Sequence, residues 1–203
     1  MRSSRGIAVV GILAVCLPVL PLPAEPRANA PPPSEAPLRD GGLTMPPGGW
    51  MKYCGRRQGA LGCEMRAAGP AYVVLDDARW QQLEEVHRQL RRIRQVPERG
   101  VGQDDWQVAV DAGDCEDIAL AGEAKLLAAG WPHNALRLAT AWTEMGQYHI
   151  MLTVEGLRDG RRGTWVLDSR MAKVMAWQEL EKAGYRFGIR QAARSPYWVA
   201  IRS

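Results

Sequence analysis

The amino-acid sequence predicts an α+β domain, with helices in the first half of the chain and an antiparallel sheet in the second. Apolar residues recur at spacings of three and four between residues 76 and 129, as they do along helices. Beyond residue 136 they alternate in short runs separated by turns, as they do in strands. The length of 203 residues favours one domain, and the formal net charge of +4 is too small to indicate nucleic-acid binding.

The first predicted helix begins at Asp76-Asp77, which can cap it, and runs to about Gln95. Pro97 and Gly100 end it. Its apolar positions form one stripe that would face a core, while the rest of its surface is rich in Arg and Glu: the stripe consists of Trp80, Leu83, Val86, Leu90 and Ile93.

The second predicted helix covers residues 115–129 and is apolar over most of its circumference, so we expect it to be buried. Asp114 is a good N-cap residue, which would place Cys115 at the first helical position. Gly130 ends the helix, and Pro132 prevents it from resuming.

The remainder of the chain predicts strands at 136–142, 148–155, 164–168 and 185–189. The first two would form a hairpin around a Glu-Met-Gly-Gln turn, and an Asp-Gly turn precedes the third. Residues 50–70, in contrast, have the composition of a loop.

The N-terminus has the pattern of a secretory signal peptide, which we expect to cover residues 1–30. Arg2 and Arg5 precede a short apolar run, and an Ala-Asn-Ala cleavage site follows it. The alternative is an uncleaved anchor, although the run is short for a bilayer span. Residues 31–47 read as a Pro/Gly-rich linker, so the expected mature domain is 48–203, with no transmembrane segment.

Export determines how the cysteines are interpreted, because exported proteins meet an oxidising compartment. Removal of the signal peptide takes Cys16 and leaves Cys54, Cys63 and Cys115. Cys54 and Cys63 are close in sequence within a Gly-rich segment, so they are the plausible disulfide pair. Cys115 is then left as a free thiol.

A helix N-terminus lowers the pKa of a thiol, and Cys115 at such a position could be a nucleophile. The alternative is a small buried apolar residue. Of the histidines, His87 lies beside the apolar stripe of the first helix and His133 in a loop, whereas His149 lies on a strand that could hold a catalytic base rigidly. Asp168 closes the next strand, where it could orient His149, although an aspartate there can also simply form a turn.

The segment Gly113-Asp114-Cys115-Glu116-Asp117 resembles the signature of the bacterial transglutaminase-like cysteine proteinases of the LapG type. The resemblance continues through residues 127–132, 148–149, 166–169 and 184–187, and upstream through Gly49-Trp50, Cys54, Arg56 and Cys63. It implies a papain/transglutaminase-like fold with a catalytic cysteine at the start of a buried helix that packs on an antiparallel sheet. It also implies a triad of Cys115, His149 and Asp168.

Members of this family depend on calcium, so the resemblance implies a Ca²⁺ cofactor. The carboxylates of Asp114, Glu116 and Asp117 suit the oxygen preference of calcium, and Asn134 matches a further ligand position by its distance from the cysteine. The alternative is a capping box with a solvated acidic turn.

The resemblance further implies a periplasmic endopeptidase that cleaves the N-terminal region of a large surface adhesin and so controls biofilm attachment. It implies that an inner-membrane cyclic di-GMP receptor holds the enzyme inactive. For that receptor we expect an exposed aromatic anchor at Trp106, with a core position under the catalytic helix as the alternative. Two other functions stay open at this point: a peptidoglycan amidase or peptidase of related fold, and a non-catalytic binding module.

Overall fold

The computed structural model describes residues 36–56, 59–63, 69–97 and 104–202. The predicted signal peptide and its cleavage site lie outside these ranges. The helices in the described ranges are α1 (Gly48–Arg56), α2 (Asp77–Leu90), α3 (Cys115–Ala128) and α4 (Trp177–Lys182), with a 3-10 turn at His133–Ala135. The strands there are β1 (Arg39–Thr44), β2 (Val73–Val74), β3 (Arg94–Gln95), β4 (Ala112–Gly113), β5 (Leu136–Trp142), β6 (Tyr148–Arg158), β7 (Arg161–Leu167), β8 (Met175–Ala176), β9 (Arg186–Gln191) and β10 (Trp198–Arg202).

The main sheet has the strand order β1-β10-β9-β5-β6-β7-β8, and each neighbouring pair along this path is antiparallel. The short strand β2 pairs with β6 in parallel, and β3 and β4 form a separate parallel pair. The hairpin β5–β6 and its continuation into β7 were predicted from the alternation of apolar residues and are confirmed. Strand β6 lies at the centre of this meander, and its first residues reach the candidate site.

Both predicted helices are present, and they pack together against one face of the sheet. Asp76 caps α2 by accepting a hydrogen bond from the Arg79 N–H, but the helix ends at Leu90 rather than near residue 95. It ends early because Arg94 and Gln95 pair with β4. Gly122 permits close contact between α3 and its neighbours, since a Cβ there would lie 2.9 Å from a Leu90 methyl group.

The expected boundary between linker and domain at residue 48 is wrong. Residues 39–44 form the edge strand β1, which pairs with β10 from the end of the chain. The segment is anchored by Asp40, whose carboxylate lies 2.7 Å from the Arg137 guanidinium and 2.8 Å from that of Arg190. Burial alone would raise the pKa of Asp40, but these two cations lower it overall. The domain therefore begins upstream of residue 39.

The loop expected over residues 50–70 is also wrong in its first part, where α1 forms. Trp50 and Tyr53 bury the inner face of this helix in the main core. The predicted disulfide joins Cys54 of α1 to Cys63, and Cys115 is the free cysteine of the described residues. The bridge ties a short helix to the loop that follows it.

None of the helices in the described ranges combines the length and hydropathy that a bilayer crossing requires.

Candidate active site

Cys115 is the first residue of α3, as the sequence predicts, and α3 packs against β6. The backbone of Ile150, the residue after His149, acts to lower the pKa of the Cys115 thiol and so favours the thiolate. Opposing this, the thiol donates to the Glu116 carboxylate at 3.0 Å. Burial, followed by the negative charge of Glu116, raises the pKa of Cys115 far above its usual range. In this arrangement the cysteine is held as a thiol.

His149 and Asp168 are brought together by the pairing of β6 with β7. Leu167, the last residue of β7, pairs with Leu152 of β6. Asp168 follows Leu167 and therefore lies toward the start of β6, where His149 is. The His149 Nε2 atom is 2.9 Å from an Asp168 carboxylate oxygen, and both residues are buried. With Nε2 engaged in this way, Nδ1 is the ring nitrogen left to exchange a proton with a reacting group.

The Asp168 carboxylate has further donors that the sequence analysis did not identify. The Tyr185 hydroxyl donates to its second oxygen at 2.8 Å, and the backbone N–H of Arg170 donates to the first at 2.9 Å. Burial would raise the pKa of Asp168, but the hydrogen bond and charge of His149, together with these donors, lower it overall. The carboxylate is therefore kept ionised and fixed in orientation.

His87 was expected at the boundary of the α2 apolar stripe, but it is only 1% exposed. Its Nε2 lies 3.0 Å from the backbone carbonyl oxygen of Asp168. Burial is the main reason that its pKa is lowered, so the neutral ring is favoured. His87 thus supports the backbone of Asp168 from the helical side of the sheet, a role that no local sequence pattern could have indicated.

The acidic residues around Cys115 differ in what they contact. Glu116 faces the sulfur, and burial with the nearby charge of Asp114 raises its pKa to about 8. Asp117 accepts a hydrogen bond from the Gln107 backbone N–H at 2.8 Å, and burial raises its pKa to about 6. Asp114 and Asp117 line one cavity of about 410 Å³. Crowded, partly desolvated carboxylates of this kind suit a hard divalent cation chemically.

The fit to calcium is nevertheless partial. Among the described residues, no three His, Cys, Asp or Glu side chains are grouped closely enough to hold a metal ion. Asp114 and Asp117 share a cavity, whereas Glu116 is turned toward the thiol. The carboxylates that a cation in this cavity would meet are those of Asp114 and Asp117.

Asn134 is not brought to this cluster, so its assignment to the same ion is wrong for this structure. Asn134 follows α3, which begins with Cys115, and a helix of 14 residues spans roughly 20 Å. The Asn134 side chain donates instead to the Gly69 carbonyl at 3.2 Å. The register agrees, since Leu136 pairs with Val154 in the middle of β6, away from His149 near the start of that strand.

Trp106 is 1% exposed, so the prediction of an exposed receptor anchor is wrong and its alternative, a core position, is what the structure has. Its ring packs against Trp50 at 5.5 Å, and its indole N–H donates to Asp104 at 2.6 Å. A large ring with one polar atom and a local acceptor is readily buried.

A free thiol at a helix start and a histidine that a buried carboxylate orients are the residue types with which proteins transfer acyl groups through cysteine. The family model for the bacterial transglutaminase-like cysteine proteinases (BTLCP) matches residues 40–203. The chain belongs to this family, and the predicted fold class is confirmed.

Three solved structures of Legionella pneumophila LapG resemble the chain. One has a TM-score of 0.50 and 24% identity, and the match covers 59% of this chain and 68% of that one. The EGTA-treated form has a TM-score of 0.49 and 24% identity, and its match covers 59% of this chain and 66% of that one. The calcium-bound form has a TM-score of 0.48 and 25% identity, and its match covers 59% of this chain and 68% of that one. At this similarity the likeness concerns the fold alone. No curated protein matches the chain at a significant level.

Proposed function

We propose that this protein is a calcium-dependent cysteine endopeptidase with Cys115, His149 and Asp168 as its catalytic triad. The observation that carries the proposal is the 2.9 Å hydrogen bond between His149 and Asp168, together with a free cysteine at the start of α3, the helix that packs against the strand of His149. Membership of a cysteine proteinase family supports the same reaction class.

The reaction would begin when the Cys115 thiolate attacks the carbonyl carbon of the scissile peptide bond. His149 takes the thiol proton through Nδ1, because its Nε2 is engaged by Asp168. It then gives this proton to the leaving amine as the C–N bond breaks and a thioester forms. Water hydrolyses the thioester while His149 acts as base again, which regenerates the thiol.

The negative oxygen of each tetrahedral intermediate needs hydrogen-bond donors. The backbone N–H of Cys115 belongs to the first turn of α3, where N–H groups lack helical acceptors. It is the donor we propose, assisted by the positive end of the helix dipole.

Calcium would be held by Asp114 and Asp117, with Glu116 as a third carboxylate. A bound cation supplies positive charge that lowers the pKa of a neighbouring thiol. The raised pKa of Cys115, which burial and then Glu116 cause, supports this proposal, because a cation beside the thiol would counteract it. Calcium suits the site better than magnesium, because magnesium demands near-octahedral geometry.

For the biological role we propose export to the periplasm by residues 1–30 and cleavage of a large surface adhesin. We also propose restraint by an inner-membrane cyclic di-GMP receptor. Since Trp106 is buried, the receptor would bind elsewhere, and the next surface to test is formed by the exposed arginines at the end of α2 and just after it, Arg88, Arg91 and Arg92. These proposals rest on the family resemblance.

The test is incubation of the purified mature protein with the adhesin N-terminal region, with calcium or with a chelator. Cleavage should require calcium, and Cys115→Ala should abolish it.

Alkylation of Cys115 by iodoacetamide should depend on His149, which distinguishes a catalytic thiol from that of a binding module that only keeps the fold. Equal alkylation of the wild type and His149→Ala, without cleavage, would refute the triad.

A further inference from the structure

The β5–β6 hairpin carries exposed apolar side chains next to the candidate site. Trp142 and Tyr148 pair directly across the two strands, and their rings meet edge to face at 5.4 Å. Each is about half exposed, with relative accessibilities of 47% and 48%. Aromatic rings at the surface are commonly enriched where a protein binds a partner or ligand.

Tyr148 places this pair at the catalytic cleft. It immediately precedes His149 on β6, so the aromatic pair lies at the same end of this strand as the candidate base. Burial is the main reason that the pKa of the Tyr148 hydroxyl is raised, and negative groups that include Glu116 act in the same direction.

The hairpin is rigid at its tip. The Thr143 N–H donates to the Gln147 carbonyl at 2.9 Å, and the Gly146 N–H donates back to Thr143 at 2.9 Å. Gly146 has φ +70°, which other residues adopt only with strain. A surface on this hairpin loses little entropy when it binds a ligand, because it is already ordered.

The hairpin is also connected to the triad aspartate. Glu144 in the turn forms an ion pair with Arg170 at 2.7 Å. Arg170 donates to the Tyr185 hydroxyl at 2.9 Å, and Tyr185 donates to Asp168 at 2.8 Å. This chain of hydrogen bonds keeps the hairpin at a defined position relative to His149 and Asp168.

We propose that Trp142 and Tyr148 form a substrate subsite for an uncharged apolar side chain close to the scissile bond. The proposal rests on the endopeptidase function above and adds its specificity. An acidic side chain placed against the two ring faces would lose hydration without gaining a hydrogen-bond partner, whereas an apolar side chain would lose nothing. The occupant is a polypeptide in extended conformation whose apolar side chain covers the exposed faces of the two rings.

The experiment measures peptide binding in a Cys115→Ala background, so that it does not depend on cleavage. The probes are fluorescein-labelled Gly/Ser decapeptides with a single central Leu or Asp. The Leu peptide should bind about tenfold more tightly than the Asp peptide, as burial of one such side chain implies. Trp142→Ala should remove most of this difference, and Trp142→Phe should retain much of it.

Tyr197→Ala is the matched control, because Tyr197 is 62% exposed and lies on the turn before β10 rather than on the hairpin. It should leave the Leu preference unchanged. Equal binding of the two peptides, or a preference that survives Trp142→Ala, would overturn the subsite. If the preference is found but the wild-type enzyme cuts no peptide, the subsite stands and the proposed protease activity fails.

Discussion

The two halves of the candidate site are prepared to different degrees. The His149–Asp168 half is complete: the carboxylate is fixed by Tyr185 and the Arg170 backbone, and its lowered pKa keeps it charged. The Cys115 half is not, because the thiol donates to Glu116 and its pKa is raised. The proposed base is already held in place, whereas the proposed nucleophile is kept protonated by burial and its acidic neighbours.

This difference indicates where control of the enzyme would act. Preorganised hydrogen bonds around a base need no ligand to form. Crowded carboxylates around a thiol, however, oppose ionisation until a proton or a cation neutralises them. Regulation by calcium would therefore act on the nucleophile, and the histidine half would be the same with or without the metal.

The largest expected effect comes from removing either half altogether. Cys115→Ala and His149→Ala should each lower peptide cleavage by about 10⁴-fold, and the double variant should be no worse, since triad members act as a unit. Initial rates of peptide hydrolysis measure this, with melting curves to confirm folding. Substantial turnover by either single variant would show that Cys115 is not the nucleophile or that His149 is not the base.

The next effect concerns the restraint on the thiol. In chelator, Glu116→Gln should move the midpoint of the pH dependence of Cys115 alkylation to lower pH, because it removes the charge that opposes the thiolate. Calcium should shift the wild-type midpoint in the same direction and the variant much less. Asp111→Asn, an exposed acid nearby, should change nothing. If calcium left the wild-type midpoint where it was, the metal would not act on the nucleophile.

Sequence reasoning succeeded where local pattern determines structure. The apolar circumference of 115–129 predicted α3, and Asp114 does occupy its N-cap position with Cys115 next, although the Asp114 side chain makes no capping hydrogen bond. Antiparallel pairing of consecutive strands is the default, so His149 and Asp168 could be predicted to meet.

It failed where partners come from distant parts of the chain. The segment 39–44 contains two glycines and a single large apolar residue, and it becomes a strand only because β10 pairs with it. His87 and Tyr185 converge on Asp168 from separate elements, which no spacing in the sequence reveals. Asn134 was placed by counting along the chain, and the length of α3 takes it away from the acidic cluster.

A smaller effect should follow from removing one hydrogen bond that holds Asp168 while keeping His149 and Asp168 themselves. Tyr185→Phe keeps the buried ring and deletes one hydrogen bond to the Asp168 carboxylate. Hydrogen bonds to charged groups contribute roughly 1.5–3 kcal/mol, so we expect kcat to fall about tenfold or somewhat more with little change in KM. The low-field NMR signal of the imidazole N–H bound to Asp168 should weaken as well. Tyr197→Phe should preserve both, and an unchanged kcat in Tyr185→Phe would remove its positioning role.

The smallest expected effect is on the pH dependence of thermal stability rather than on activity. Glu116 and Asp117 have pKa values of about 8 and about 6, both above the values near 4 of unfolded carboxyl groups. The folded state therefore holds protons that the unfolded state releases, so this contribution to stability is complete below about pH 4 and is lost as pH rises to about 8. In chelator, the Tm of the wild type should fall by a few degrees more than that of Glu116→Gln between pH 5 and pH 9. Calcium should flatten the wild-type curve, because it binds the ionised carboxylates of the folded state. If the Tm of the two proteins changed with pH in parallel in chelator, the pKa of Glu116 would not be raised in the folded state. The carboxylate of Glu116 would then not oppose ionisation of Cys115.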